Sequence, residues 1–384
     1  MPLFQKQAAH TLSLYDFWAQ HNEHRILFPS LLMYSLAYLT HWNIIVELFV
    51  NVLLAGCALL LILDIIRRTV AGRTLKVLVS ILAACLFFSP MQWENWLWGW
   101  QIEWYLNLLG VIAAVWALCY WPGRWPARLR LPLAIAAATI ATYSLGSGPL
   151  IWFVGLGILL LRRTPLRQLL SWAVCGVFVL FTYYYHYNSN AGEPSKTLLF
   201  REPFKFAGYL MGYLGHPLGW NWLAAACFGI ALCIGTAWVG WRYYRQGLPV
   251  SGNLGWLGIG SYAFACAVTT DLSRLGFGVT QSFSSRYFTL SMLFTLSVAV
   301  LAIQTLHKQR RFALIGLGVL VAIIAGNYIP GVRALTVYGN HIAQEQQCTR
   351  HAQPTVACLT DTYPDPKTTL NRLTFLKARH WSGY

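Results

Sequence analysis

Thirteen residues near the start of the chain, Ser13 to Arg25 (S-L-Y-D-F-W-A-Q-H-N-E-H-R), carry an unusual density of reactive side chains. Written as a helix, they place Asp16, Gln20 and Glu23 on one face at i, i+4 and i+7, with His24 beside them. Trp18, His21 and Arg25 line the neighbouring face. Ser13, three residues before Asp16, fits a capping box that starts the helix. Asp16 and Glu23 could act as general bases, and their structural alternatives are a helix cap and a salt link. His21 and His24, at i and i+3 with Glu23 between them, have the spacing of two metal ligands. No third strong ligand cluster accompanies them. No cofactor is therefore assigned, and a divalent metal is the lesser reading.

A second group follows the second apolar run: Met91 to Glu103 reads M-Q-W-E-N-W-L-W-G-W-Q-I-E. Tryptophan at a membrane surface is ordinarily an interface anchor. That role does not account for Glu94 and Glu103. Trp96, Trp100, Glu103 and Asn107 share a helical face. Such a polar, aromatic face, with Gln101, suits a sugar or a lipid head group, because apolar sugar faces stack on indoles and carboxylates accept from hydroxyls. Asn43, Glu47 and Asn51 form a stripe at i, i+4 and i+8 inside an apolar run. An ionisable group there must face a partner or a wet cavity, which makes Glu47 a functional candidate, the alternative being a structural pair with an Arg. Asp64 is expected to interact with Arg67 or Arg68. Later segments add cations: Lys196, Arg201 and Lys205, which stand among Glu193 and Glu202, then Arg274 and Arg286. Several cations facing acidic helices would bind a phosphate or pyrophosphate; an Arg at a span mouth can also simply reach the interface.

These groups need a frame to position them. The chain has 384 residues, 57% hydrophobic and only 10% charged. Apolar runs recur from end to end, so the expected fold is all-α, a polytopic transmembrane helix bundle. Ten spans are predicted, at roughly 42–66, 74–90, 102–121, 131–145, 149–161, 168–186, 221–241, 253–270, 287–306 and 312–330. The fourth and fifth are short and meet at Ser144-Leu-Gly-Ser-Gly148; a re-entrant hairpin is the alternative and keeps the same parity. Residues 1–41 form a polar, juxtamembrane helical segment, 42–330 the bundle and 331–384 a polar tail. Residues 205–220 read as interfacial. No signal peptide, repeat or low-complexity segment is visible.

The net charge of +16 would suit a nucleic-acid binder, but its placement argues otherwise. Five short loops around Arg67–Lys76, Arg124–Arg130, Arg162–Arg167, Arg242–Arg245 and Lys308–Arg311 hold 15 of the 28 Lys and Arg and no Asp or Glu. This is the positive-inside pattern. It makes those loops cytoplasmic, puts both ends of the chain on the outer face and makes the lipid bilayer, not nucleic acid, the partner. Seven of the nine cysteines sit in apolar runs as small hydrophobes. Cys348 and Cys358 lie in the tail and are expected to form a disulfide outside, worth about 3 kcal/mol to its order.

Four segments carry a family resemblance: H-N-E-H-R-I before an apolar helix, W-E-N-W-L-W-G-W-Q, S-L-G-S-G-P-L-I-W, and S-R-Y-F-T-L-S at a span start. They resemble uncharacterised bacterial membrane proteins similar to the GT-C superfamily of integral-membrane glycosyltransferases. The resemblance covers Asp16 to about residue 330. It implies a GT-C-like bundle in the bacterial inner membrane. It also implies transfer of a sugar from a polyprenyl-phosphate donor to an envelope glycan or lipid acceptor on the outer face. A carboxylate would deprotonate the acceptor hydroxyl while cations stabilise the leaving lipid phosphate. Carried over, Asp16 and Glu23 become the base candidates, and Arg25, Arg286, Arg274 and Lys205 the phosphate candidates. Glu94, Gln101, Glu103 and the tryptophans line the sugar site, with His21, His24 and Glu47 as further substrate contacts. Members of that superfamily usually open on a cytoplasmic N-terminus and a span, with an acidic residue soon after. Here the chain opens on the outer segment, so an in-frame apolar span is expected upstream unless the fold starts differently. The rival readings are a transporter or flippase of a lipid-linked or polar solute, a ligase joining lipid-linked glycans, and a non-catalytic membrane subunit.

Overall fold

The computed structural model describes residues 2–188, 197–306, 308–350, 356, 358–359 and 365–382. Glu193 and Lys196 lie outside them. Among the described residues every regular element is helical, with a single isolated bridge between His21 and His24. The α-helices in chain order are α1 Pro2–Ala8, α2 Leu14–Trp18, α3 Leu27–Thr40, α4 Ile44–Thr69, α5 Arg73–Phe87, α6 Trp93–Leu97, α7 Ile102–Tyr120, α8 Arg130–Thr142, α9 Leu150–Leu161, α10 Leu166–Tyr184, α11 Leu198–Arg201, α12 Pro203–Gly215, α13 Trp222–Gln246, α14 Leu254–Arg274, α15 Phe288–Thr305, α16 Arg310–Arg350 and α17 Pro366–Lys377.

Each of the ten apolar stretches is helical. Among the described residues, seven helical stretches are long and apolar enough to cross a membrane. Their number makes the chain a multi-pass membrane protein in composition and architecture. The remaining three stretches fall short for visible reasons. α8 and α9 have 13 and 12 residues. α14 has 21, but ends in a polar run of Thr269, Thr270, Asp271, Ser273 and Arg274.

α7 and α15 form the middle of the bundle and are buried almost all round. α15 manages this without charge: Thr289, Ser291, Thr295 and Ser297 are small enough to let neighbours approach. α10, α13 and α16 are peripheral and show broad apolar faces, including Phe178, Ile234 and Ile315. α12, read as interfacial from the sequence, packs tightly on α13. A Cβ at Gly229 would lie 1.9 Å from the Met211 carbonyl oxygen, so only glycine permits that crossing.

The five basic segments meet at one end. Trp256 Nε1 donates to Thr69 there (2.9 Å), Arg130 to Gln168 (2.6 Å) and Arg310 to Thr74 (3.2 Å). Asp64 accepts from Arg67 and Arg68, as expected, and also from Trp116. The opposite end gathers residues 10–26, 88–101, 143–149 and 275–287. α16 does not end near residue 330. It runs through Pro330 to Arg350; Gly331, which packs on Pro90 and Met91, docks the helix just past the proline, so the missing N–H does not end it. At its far end Cys348 and Cys358 are joined, with Cα atoms 6.0 Å apart. The last described residues return to the start of the chain. Trp381 packs on Phe4 and Trp42, and Ser382 N–H donates to the His41 carbonyl.

Candidate functional site

The Ser13 segment starts as its sequence predicts and stops sooner. Ser13 donates from its backbone N–H and hydroxyl to Asp16, at 2.8 and 3.0 Å, completing the capping box. The helix then ends at Trp18. His21 and His24 exchange backbone hydrogen bonds of 2.7 and 3.0 Å across Asn22, whose φ is +49°. Asn tolerates that left-handed conformation, so the turn competes with the helix. Arg25 draws the chain the same way. Its Nε donates to the Tyr183 carbonyl (2.6 Å), its Nη1 to that of Trp18 (3.0 Å) and its Nη2 to that of Tyr185. Its guanidinium also lies 3.8 Å from the Trp18 ring.

Asp16, Gln20 and Glu23 therefore share no face, contrary to the helical expectation. Asp16 pairs with Lys6, which holds its carboxyl below the ordinary range. Gln20 binds the backbone of Asn188. Glu23 pairs with Arg274, at the end of α14. Arg25 is fixed by carbonyls, which makes it a staple between the N-terminal segment and α10.

From the Glu23–Arg274 pair a continuous polar and aromatic cluster crosses this end of the bundle. His24 packs its Nδ1 on Gly146, 2.6 Å from where a Cβ would be, in the turn between α8 and α9. Burial first, and the nearby Arg274 charge after it, push the His24 pKa down to about 4. His21 lies on Trp100, with ring centroids 5.0 Å apart, and burial lowers its pKa as well. Both imidazoles are thus neutral at neutral pH, and their rings point to different neighbours. Among the described residues no three His, Cys, Asp or Glu side chains come together.

Beyond Trp100, the first turn of α7 presents Glu103, 7% exposed, to the indoles of Trp104 and Trp100 and to the charge of Arg286. Arg286 faces Glu94 at 3.8 Å, and Ser285 donates to the other oxygen of that carboxylate (3.1 Å). Tyr287 stacks on Tyr213 at 5.3 Å and lies 6.0 Å from Trp104. Tyr209, one turn before Tyr213 on α12, completes the aromatic wall beside Asp271. Below them Tyr262 donates to Asn107 (2.9 Å), which donates to the Ala141 carbonyl (3.1 Å).

The structure thus brings together Glu23, His21, His24, Glu94, Trp100, Glu103, Arg274 and Arg286. The other sequence candidates stand apart. Trp96 lies between Phe88 and Tyr105 and lines a shallow groove with Ile45 and Val52. The turns at 98–101 break the helical face that would have joined it to Trp100 and Glu103. Glu47 packs on Gly99, and Asn51 donates to the Asn95 and Trp98 carbonyls, so the α4 stripe braces the tryptophan-rich segment. Asn43 caps α4. Gln101 is buried within that segment. Lys205 pairs with Glu202 at the exposed start of α12.

Asp271, Tyr209, Tyr213 and Tyr262 were missed in the sequence. The signals were there: Tyr209 and Tyr213 sit at i, i+4, and Asp271 ends an apolar run.

The arrangement offers two arginines, four carboxylates and a wall of indole and phenol rings at one end of an apolar bundle. Arginines bind phosphate oxygens, rings stack on sugar faces, and carboxylates accept from hydroxyls. No known protein family, curated protein or solved structure matches this chain.

Proposed function

We propose that this chain is a membrane glycosyltransferase of the GT-C kind, with ten membrane-crossing segments. It moves a sugar from a polyprenyl-phosphate carrier to an envelope glycan or lipid acceptor on the outer face of the bacterial inner membrane. The basic loops are cytoplasmic and both ends of this chain are outside. The observation that carries the reading is the convergence of Glu23–Arg274, Glu94–Arg286, Glu103 and the Trp100–Trp104–Tyr287 rings at the end opposite the basic loops. A lipid phosphate needs cations near the membrane surface, and a sugar needs rings and acceptors beside them.

Arg274 and Arg286 each already hold a carboxylate, so neither arginine charge stands alone when the site is empty. A donor phosphate would displace Glu23 or Glu94 and leave that carboxylate to bind sugar hydroxyls. As the phosphate leaves, the arginines meet the charge that develops on its oxygen. Trp100 and His21 form the rim over which the sugar ring lies.

Mass spectrometry of lipid-linked sugars and envelope glycans, in cells with and without this gene, tests the reading. Loss of one sugar from a glycan with accumulation of its lipid-linked donor is the expected result. Unchanged glycans and donors at confirmed expression would reject it. The second reading, a transporter of a lipid-linked or polar solute, draws on the same end-on cluster and predicts solute flux into protein-containing vesicles instead.

A further inference from the structure

We infer that Asp271, on α14 beside Tyr209 of α12, is the carboxylate that receives the acceptor hydroxyl and takes its proton; this rests on the transferase reading above. Asp271 has 0% exposure, and neither carboxylate oxygen has a hydrogen-bond partner among the described residues. The hydroxyls of Tyr209, near Tyr287, and of Tyr213, near Thr270, are also buried with no hydrogen bond of good geometry among the described residues. A buried carboxylate built for stability is paired, because leaving it unpaired is costly. The other acids of the cluster are paired: Glu23 with Arg274, Glu94 with Ser285 and Arg286, and Glu103 with the indoles of Trp104 and Trp100. Asp271 alone among them keeps both oxygens open for something the chain itself does not supply.

Its position fits the role. Asp271 lies three residues before Arg274 on the same helix, a separation of about 4.5 Å along the axis. Arg274 is partly exposed and pairs with Glu23, so the same helix turn that buries Asp271 carries a cation within reach of the surface. A donor phosphate held by Arg274 brings its sugar over Asp271, within the span of one sugar ring. The acceptor O–H proton moves to an Asp271 oxygen as the acceptor oxygen bonds to the anomeric carbon. The bond from that carbon to the phosphate oxygen breaks, and its electron pair stays on the phosphate, facing Arg274. Tyr209 and Tyr213 present hydroxyls that can hold the acceptor or the sugar in place.

The test uses full-length variants in the gene-deleted strain, read by the same mass spectrometry, with melting of each purified protein. Asp271→Asn keeps the size of a buried carboxyl whose oxygens have no hydrogen-bond partner among the described residues, so it should melt at the wild-type temperature or higher while product formation falls by about 100-fold or more and donor accumulates. Asp271→Glu should restore part of the product. Tyr209→Phe and Tyr213→Phe, which keep the rings, should each lower product without lowering the melting temperature. Wild-type product with Asp271→Asn would overturn this assignment and leave the transferase reading standing. A marked fall in melting temperature with Asp271→Asn would also overturn it, since it would mean the carboxylate is structural. Failure of the wild-type gene itself to restore any glycan would overturn both.

Discussion

At the scale of single residues, burial and pairing decide what each candidate can do. His24 shows it through acidity. Its imidazole is protonated near pH 6.5 in the unfolded chain but only near pH 4 when folded. Between those values the unfolded state binds more protons, so stability falls as pH falls, and the loss is complete below about pH 4. The size is about 3 kcal/mol for a shift of this extent. Melting of wild type and His24→Gln across pH 7 to 4 should show a slope that the variant reduces. His216, buried against Phe283 and pushed by burial to about 3, adds a slope of the same sign that the variant keeps. Arg25 makes the contrasting case. Arg25→Lys loses the fork that serves three carbonyls, and at least one of them is left dry. It should lower stability by about 2 kcal/mol or more, read as a lower melting temperature. A variant with unchanged melting and lost activity would instead make Arg25 a substrate residue.

At the scale of elements, close helix crossings position the cluster. α12 carries Tyr209 and Tyr213 and is set by its crossing with α13 at Gly229. Gly229→Val should push the helices apart and destabilise the fold by about 1–3 kcal/mol or more, seen as lower melting and poorer yield in the membrane. Much of this level was legible in the sequence. Apolar periods fixed the ten helical stretches to within a few residues at most ends, and the charge-poor and charge-rich loops sorted to opposite ends. Ser13 and Asp16 announced a helix start correctly. The length of that helix was not legible, because Asn22 and the three carbonyl partners of Arg25 override local propensity, and two of those partners lie about 160 residues away. For the same reason Asp16 and Glu23 looked like neighbours and are not. Glu23 with Arg274 and Glu94 with Arg286 are long-range pairs that no local spacing could reveal. Asp271 closes the apolar run of α14 and was passed over in the sequence, because its lack of partners among the described residues is visible only in three dimensions.

At the scale of the whole molecule, one end of the bundle is basic and the other polar and aromatic. That polarity makes topology testable. A single cysteine placed at Gly123 should be shielded from a membrane-impermeant thiol reagent in intact cells, and one placed at Phe277 should react. The reverse labelling would invert the orientation. The polar end is also where α16, the Cys348–Cys358 link and Trp381 return the tail to the N-terminal segment. On the proposed transferase reading, chemistry and not transport happens there. The most direct measurement places the purified protein in lipid nanodiscs, which have no second compartment. Lipid extract from the gene-deleted strain serves as the source of donor and acceptor, and mass spectrometry follows the sugar. Wild-type protein should consume one lipid-linked sugar and transfer it, and Glu23→Gln should be slower. An unconsumed donor in discs, from a strain whose glycans do respond to the gene, would contradict it and point to transport or to a non-catalytic subunit.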